Sequence, residues 1–264
     1  MRGFDYSLES VRVALDKCGL FDVRLSFFDE IDSTNLELKR RFGAADSQKP
    51  ILCVAKSQTA GKGRMGRSFL SPDAGVYMSL LLPTESSGAI LTAYAAVMVA
   101  EAVEELSGDV TEIKWVNDIY LSGRKLSGIL CEGLIDIKTG ALRAAVVGIG
   151  INVLKTEFPK EISDVAVSLE EVTGKRFSRA KLVARVTEKL IKELPQLTSR
   201  ALIEKYKSKS NVLGKRVFVT RGDESFFAKA VDINEKAELV VLNDAGQSVC
   251  LNSGEVSVRT KFDN

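Results

Sequence analysis

Histidine is absent from all 264 residues, and that one gap removes a Ser-His-Asp triad, HExxH zinc chemistry and the HRD loop of protein kinases together. Catalysis by such a chain must rest on lysine, arginine and carboxylates, or on positioning alone. Cysteine is scarce: Cys18, Cys53, Cys131 and Cys250 include no CxxC pair, so neither a zinc site nor a disulfide framework is suggested, and they read as reduced, buried filler. No apolar run reaches the roughly 18 residues of a membrane span. The stretch from Ala89 to Ala100 is interrupted by Thr92 and Tyr94 and followed by Glu101, the pattern of a core helix. The opening MRGFDYSLES has acids where a secretory signal has a greasy core, so a cytoplasmic location and no membrane partner are expected. An excess of charge is missing as well: the net value of +2 is too near neutral for a broad grip on nucleic acid.

What is present suffices for one large domain, or one large and one small, folded without staples. Residues 7–18 predict a short amphipathic helix and Val23 to Phe28 a strand, while Ser33-Thr34-Asn35 caps a second helix beginning LELKR. Strands follow at Ile51 to Ala55 and Gly75 to Leu82, the latter stopped by Pro83. A long helix spans Ala89 to Leu106 and ends at Ser107-Gly108. A strand closing with Ile113-Lys114-Trp115 runs into Asn117-Asp118. Three more cover Ile119 to Leu121, Lys125 to Glu132 and Ala141 to Val153, turned by Ser122-Gly123 and Lys138-Thr139-Gly140. Helices are predicted at about 167–173, 178–194 and 199–208. Past Asn211 the texture changes to short β-branched runs broken by Arg221-Gly222-Asp223, Asn234-Glu235 and Asp244-Ala245-Gly246, which indicates a small all-β barrel. The expected division is an α/β domain over 1–210 and a β domain over 211–264.

One tract stands out. From Ser47 to Pro72 the cations Lys49, Lys56, Lys62, Arg64 and Arg67 occur with no Asp or Glu, and Gly61, Gly63 and Gly66 are interleaved among them. Read literally, residues 61–66 match GxGxxG, and 61–68 match a Walker A motif with arginine in place of lysine. Both motifs need a helix directly after the last glycine, because that helix's N-terminus binds the phosphate. Here SFLSPDAG follows and then a strand, so both readings fail. A glycine-rich loop carrying guanidinium and ammonium groups can still wrap an anion through its NH groups and charge. Taken alone, it is more simply a solvated surface loop with an excess of base.

It is accompanied, in order, by IDSTN at 31–35, KWVND at 114–118, GRKLSGILCE at 123–132 and GIGIN at 148–152. Together these blocks resemble the catalytic domain of the biotin protein ligases, and the β tail resembles their C-terminal SH3-like domain; the resemblance runs from Phe27 to Arg259. It implies an α/β (α+β) fold: a mixed β-sheet flanked by helices, of the class II aminoacyl-tRNA synthetase and biotin ligase type, plus a small SH3-like barrel. It also implies a two-step reaction. Biotin and ATP with Mg2+ give biotinyl-5′-AMP, and biotin then passes to a lysine of a biotin carboxyl carrier protein.

The resemblance further implies roles for residues. Lys62 and Arg64 flank the biotin carboxylate and the phosphate, with Arg67 close by and Gly61 and Gly63 in the same loop, which is expected to order once ligand arrives. Lys125 falls at the junction of carboxylate and α-phosphate; a hairpin lysine facing water is the plainer alternative. These three of the cations, Lys62, Arg64 and Lys125, are the catalytic candidates, since bringing two anions together requires neutralising their repulsion. Ser33, Thr34 and Gln58 match the ureido-binding positions, with Asn35 beside them; Ser33 and Thr34 also suit a plain helix cap. Trp115 fits either packing against biotin's thiophane ring or valeryl chain, or ordinary core. Asn117 and Asp118 are assigned to phosphate and Mg2+ positioning, with Asp118 the metal candidate. Asn152 matches the adenine-contacting position.

The sequence departs from the family pattern in three places. KWVND replaces the usual KWPND, so Val116 lacks proline's fixed φ. Phe69 stands where a tryptophan usually folds over adenine, and can still stack. About 25 residues precede the first matching block, too few for a winged helix, so no DNA partner is expected, and a homodimer is. Two rivals remain: a lipoate or octanoyl ligase of the same superfamily, and a non-enzymatic nucleic-acid binder using the basic loop.

Overall fold

The computed structural model describes residues 6–42, 49–136, 139–221, 223–252 and 255–258. Ser47, Lys138, Gly222 and Arg259, which mark the basic tract, two turns and the end of the resemblance, lie outside the described residues. The first helix, α1 (Leu8–Lys17), opens on a capping box in which Ser7 and Ser10 satisfy each other's backbone NH groups. Next come β1 (Arg24–Ile31), α2 (Thr34–Phe42), β2 (Ile51–Gln58), β3 (Gly75–Pro83) and α3 (Gly88–Ser107). Then follow β4 (Glu112–Lys114), β5 (Asp118–Leu121), β6 (Arg124–Ile135) and β7 (Leu142–Asn152). Helices α4 (Leu169–Thr173), α5 (Arg179–Lys192) and α6 (Arg200–Ser208) precede β8 (Arg216–Arg221), β9 (Glu224–Ile233), β10 (Leu239–Asn243), β11 (Ser248–Leu251) and β12 (Glu255–Val258).

Strands β1 to β7 form one mixed sheet in the order β1-β2-β3-β7-β6-β5-β4, parallel only between β1 and β2. The other five form an antiparallel sheet in the order β11-β10-β9-β8-β12. Strand β2 runs past the expected Ala55 to Gln58, because Ser57 and Gln58 pair with Glu30 and Ile31 of β1. Pairing with a neighbour overrides the polar composition that suggests a loop there.

One face of the large sheet is fully covered. Helix α3 is buried at every position from Leu91 to Ala100, as expected of a helix apolar on all sides, and it packs against the sheet, α5 and α6. Gly108 ends it in the left-handed conformation. The other face carries α2, whose Leu38 sits over Ile51, Cys53, Leu81, Ala144 and Val146. Along β7 the residues on that face alternate as Ala144, Val146, Gly148, Gly150. They are apolar under the body of α2, and glycine beneath its first turn, where Gly148 faces Asn35, and beyond it. The register puts Gly128 of β6 opposite Gly150, and Asp118 of β5 opposite Gly128. A strip of sheet without bulky side chains is therefore left open beside the start of α2.

Candidate active site

That open strip is the floor of a cavity of about 120 Å³. Its lining includes Ser33, Thr34, Asn35, Gln58, Lys62, Gly63, Arg64, Arg67, Phe69, Asn117, Asp118 and Lys125, so most of the residues singled out in the sequence are brought together. Gly61, Trp115 and Asn152 are not among the lining residues. Four cations, Lys62, Arg64, Arg67 and Lys125, face one carboxylate, Asp118. Such an imbalance in a partly enclosed site favours anionic ligands.

The basic loop is folded back on itself. Lys62 and Ser68 form an antiparallel bridge, Gly63 N–H donates to Arg67 O at 2.7 Å, and Phe69 N–H donates to Gly61 O at 2.9 Å. Met65 turns the tip with φ 54° and is exposed. Glycine is required at 61, because a Cβ there would come within 2.4 Å of Phe69 O. Arg64 Nη1 donates to Asn117 Oδ1 at 3.1 Å, and Asn117 Nδ2 donates to Ile129 O at 3.0 Å. Asn117 thus holds Arg64 against β6.

Lys125 reaches the cavity through a bulge. Ile119 pairs with Ser127 but Tyr120 with Lys125, so β6 carries an extra residue. Leu126 and Ser127 both turn to the covered face, and Lys125 emerges on the same side as Gly128, its Nζ 3.4 Å from where a Cβ of Gly128 would lie. Lys125 Nζ is paired with Asp118 Oδ1 at 2.8 Å. The lysine's main chain also pairs with Val165 and Val167, which anchors it to the segment before α4.

At the start of α2 the side chains are neutral. Gln58 Oε1 accepts from Thr34 N–H at 2.9 Å and from its hydroxyl at 3.1 Å. Ser33, buried, accepts weakly from Leu36 N–H at 3.5 Å as a helix cap, which leaves its own O–H to give. Asp32 receives Ser33 N–H and pairs with Arg40, and that guanidinium holds its carboxyl below the usual range. Asn35, although it lines the cavity, is a structural residue. Its Nδ2 donates to Glu132 Oε2 at 2.8 Å and to Leu130 O at 3.3 Å, while its Oδ1 accepts from Ser79 Oγ at 2.5 Å.

Two of the candidate side chains do not line the cavity. Trp115 is buried in the main core, 3% exposed, and its Nε1 donates at 3.0 Å to Ala237 O in the turn between β9 and β10. Its ring is committed to the junction behind the cavity, where Tyr206 Oη also donates to Val116 O at 3.1 Å. Burial raises the Tyr206 phenol well above its ordinary range, so this donor stays protonated. The Trp115–Val116 peptide is cis. Asn152 lies beyond the glycine strip and donates to Val167 O at 3.1 Å, tying β7 to the segment before α4. Trp115→Phe should therefore leave the KM for a ligand of the cavity within about twofold. It should lower the melting temperature by a few degrees, since orphaning a buried acceptor costs about 1–3 kcal/mol. Activity and a thermal melt measure both.

Reasoning from the sequence missed Gly128, Gly148 and Gly150 as the floor. The signal was the two-residue spacing of the glycines in GIGIN, which puts both on one face. Among the described residues no group of three Cys, Asp or Glu side chains could hold a metal, and Asp118 is already paired with Lys125. The chain's own residues therefore do not fit a protein-built magnesium cage, which needs several oxygen ligands.

The model of the biotin/lipoate A/B protein ligase family matches residues 27–152, and that of the biotin protein ligase C terminal domain matches 212–259. The bifunctional ligase/repressor BirA of Bacillus subtilis is 32% identical over 234 residues, which is 84% of this chain and 70% of that protein. The chain belongs to the biotin protein ligase family. The biotin–acetyl-CoA-carboxylase ligase of Mycobacterium tuberculosis, 28% identical, matches over 88% of either chain. The fold is similar to that of the biotin protein ligase from Aquifex aeolicus in complex with biotin and ATP, with a TM-score of 0.76, 34% identity, and coverage of 89% of this chain and 98% of that one. No helix among the described residues is long and apolar enough to cross a membrane.

Proposed function

We propose that this chain activates biotin with ATP to give biotinyl-5′-AMP and then transfers biotin to a lysine of a biotin carboxyl carrier protein. The observation that carries this reading is one cavity lined both by four cations and by the neutral hydrogen-bonding groups Ser33, Thr34 and Gln58. A biotin carboxylate and the α-phosphate of ATP are both anions, so their encounter is governed by charge neutralisation and alignment. A carboxylate oxygen attacks the α-phosphorus, the P–O bond to pyrophosphate breaks, and a mixed anhydride forms. In the second step the carrier lysine's amine attacks the acyl carbon, and AMP leaves with the bridging oxygen.

In this reading Lys125, Arg64 and Lys62 neutralise the reacting groups, with Arg67 at the rim. Lys125 sits over the bare strip at Gly128, where a carboxylate and a phosphate could both lie against it. Asp118 pairs with the lysine and aims it. Ser33, Thr34 and Gln58 receive the ureido ring: the Ser33 O–H and the second amide N–H of Gln58 suit its carbonyl, and the lone pair that Thr34 Oγ1 keeps beside its 2.7 Å bond from Ser79 Oγ suits a ureido NH. Phe69 stacks on adenine. Mg2+ arrives with the nucleotide's phosphates as part of the substrate, and no step here is assigned to it. The sheet from residue 211 onward is read as the SH3-like domain of a cytoplasmic homodimer.

ATP–pyrophosphate exchange with biotin, octanoate and lipoate offered separately tests the reading. Exchange is expected with biotin alone. Exchange driven only by a fatty acyl group would transfer the assignment to the lipoate ligase branch.

A further inference from the structure

Gln58, which the proposed function places at the ureido ring, is also wired to the root of the basic loop. Its amide has one possible orientation: Thr34 N–H is a pure donor and fixes Oε1, so Nε2 must face Ser71, whose Oγ it meets at 3.1 Å. Ser71 Oγ, having accepted that bond, donates to Phe69 O at 2.9 Å. Gln58 N–H also donates to Ser71 O at 3.1 Å. Ser71 is 5% exposed and does not line the cavity. The place where Gly61 would carry a Cβ is ringed by Phe69 O at 2.4 Å, Ser71 Oγ at 2.7 Å and Gln58 Nε2 at 3.2 Å, so the two ends of the loop meet at this relay. Beyond it, the Phe69 ring lies on the bare strip, with Cε1 2.4 Å from a Cβ position at Gly150 and Cε2 3.1 Å from one at Gly128. It makes an edge contact with Tyr77 at 6.4 Å.

We propose that Ser71 is a positioning residue: through its paired bonds to Gln58 and Phe69 it seats the Phe69 ring according to the state of the biotin-reading amide, and so links two residues that line the cavity. This rests on the biotin ligase reading. Every other side chain of the relay touches the cavity directly, whereas Ser71 can act only through its two partners.

The test is steady-state pyrophosphate exchange by the full chain. Ser71→Ala removes both side-chain bonds and keeps the main-chain pair. It is expected to raise the KM for ATP about tenfold and to change the KM for biotin less than about threefold, with a melting temperature close to that of the parent. In a Phe69→Ala background the same substitution should add less than about twofold to the KM for ATP, because groups acting through one another are not additive. Ser71→Cys, with a similar volume and a weaker donor, should fall between serine and alanine, and serves if the alanine variant folds poorly. Equal rises in both KM values, or effects of Ser71→Ala and Phe69→Ala that multiply, would overturn the proposal. Absence of biotin-dependent exchange in the parent enzyme would instead overturn the underlying reading, and is seen before any variant is made.

Discussion

Lys125→Ala is expected to slow biotin-dependent pyrophosphate exchange by about 10²–10³-fold. The lysine is the one cation that enters from the sheet, and it stands over the glycine strip where two anions must converge. Removing a preorganised charge from a transition state costs about 3–4 kcal/mol in comparable sites. Here the loss is compounded, because Asp118 loses its partner at 2.8 Å and becomes an uncompensated negative charge facing anionic reactants. Adding Asp118→Asn to Lys125→Ala should consequently recover part of the rate, about tenfold, although Asp118→Asn alone should be harmful. A rate for Lys125→Ala within fivefold of the parent, or a double variant slower than the single, would show that the pair sits outside the reaction path.

Gly148→Ala should be the most damaging single methyl that can be added near the cavity. A Cβ at 148 would lie 2.0 Å from Asn35 Oδ1, and that oxygen cannot retreat without giving up Ser79. Asn35 also holds Glu132, which in turn pairs with Lys39 at 2.5 Å, so displacement at one atom reaches three elements. Overpacking and lost buried hydrogen bonds together predict about 3 kcal/mol of destabilisation, or roughly 10 °C in melting temperature. Because Asn35 follows Ser33 and Thr34 at the start of α2, the KM for biotin should rise at least tenfold as well. A melting temperature within 2 °C of the parent would contradict this account.

The contrast between these sites shows what the sequence makes legible. Lys62, Arg64 and Arg67 lie close together in one loop, and their unbalanced charge can be seen without any fold. Most strands and helices were visible in hydrophobic period and turn residues, since those signals are local. The extension of β2 to Gln58 was not, because it depends on pairing with β1. Nor could the sequence tell that Lys125 leaves β6 on the cavity side: that follows from a bulge, defined by register with β5. Trp115 stays open between ligand contact and core for a similar reason, since the carbonyl that claims its indole belongs to Ala237, far along the chain. Asn35 read as a ligand-facing amide because its three partners come from β3 and β6, elements the motif does not mention. Gly128 and Gly150 fall within motifs, yet their shared role needs the strands laid side by side.

Helix α2 covers only part of the sheet face, and this has a consequence for how such a cavity could vary. A helix with its side chains is about 10 Å across, so the place where it stops makes a step of that height above the strands. The trench is therefore cut by secondary structure, and its depth does not depend on the basic loop that overhangs it. Exchanging the loop would alter what is gripped, while the hollow itself would persist.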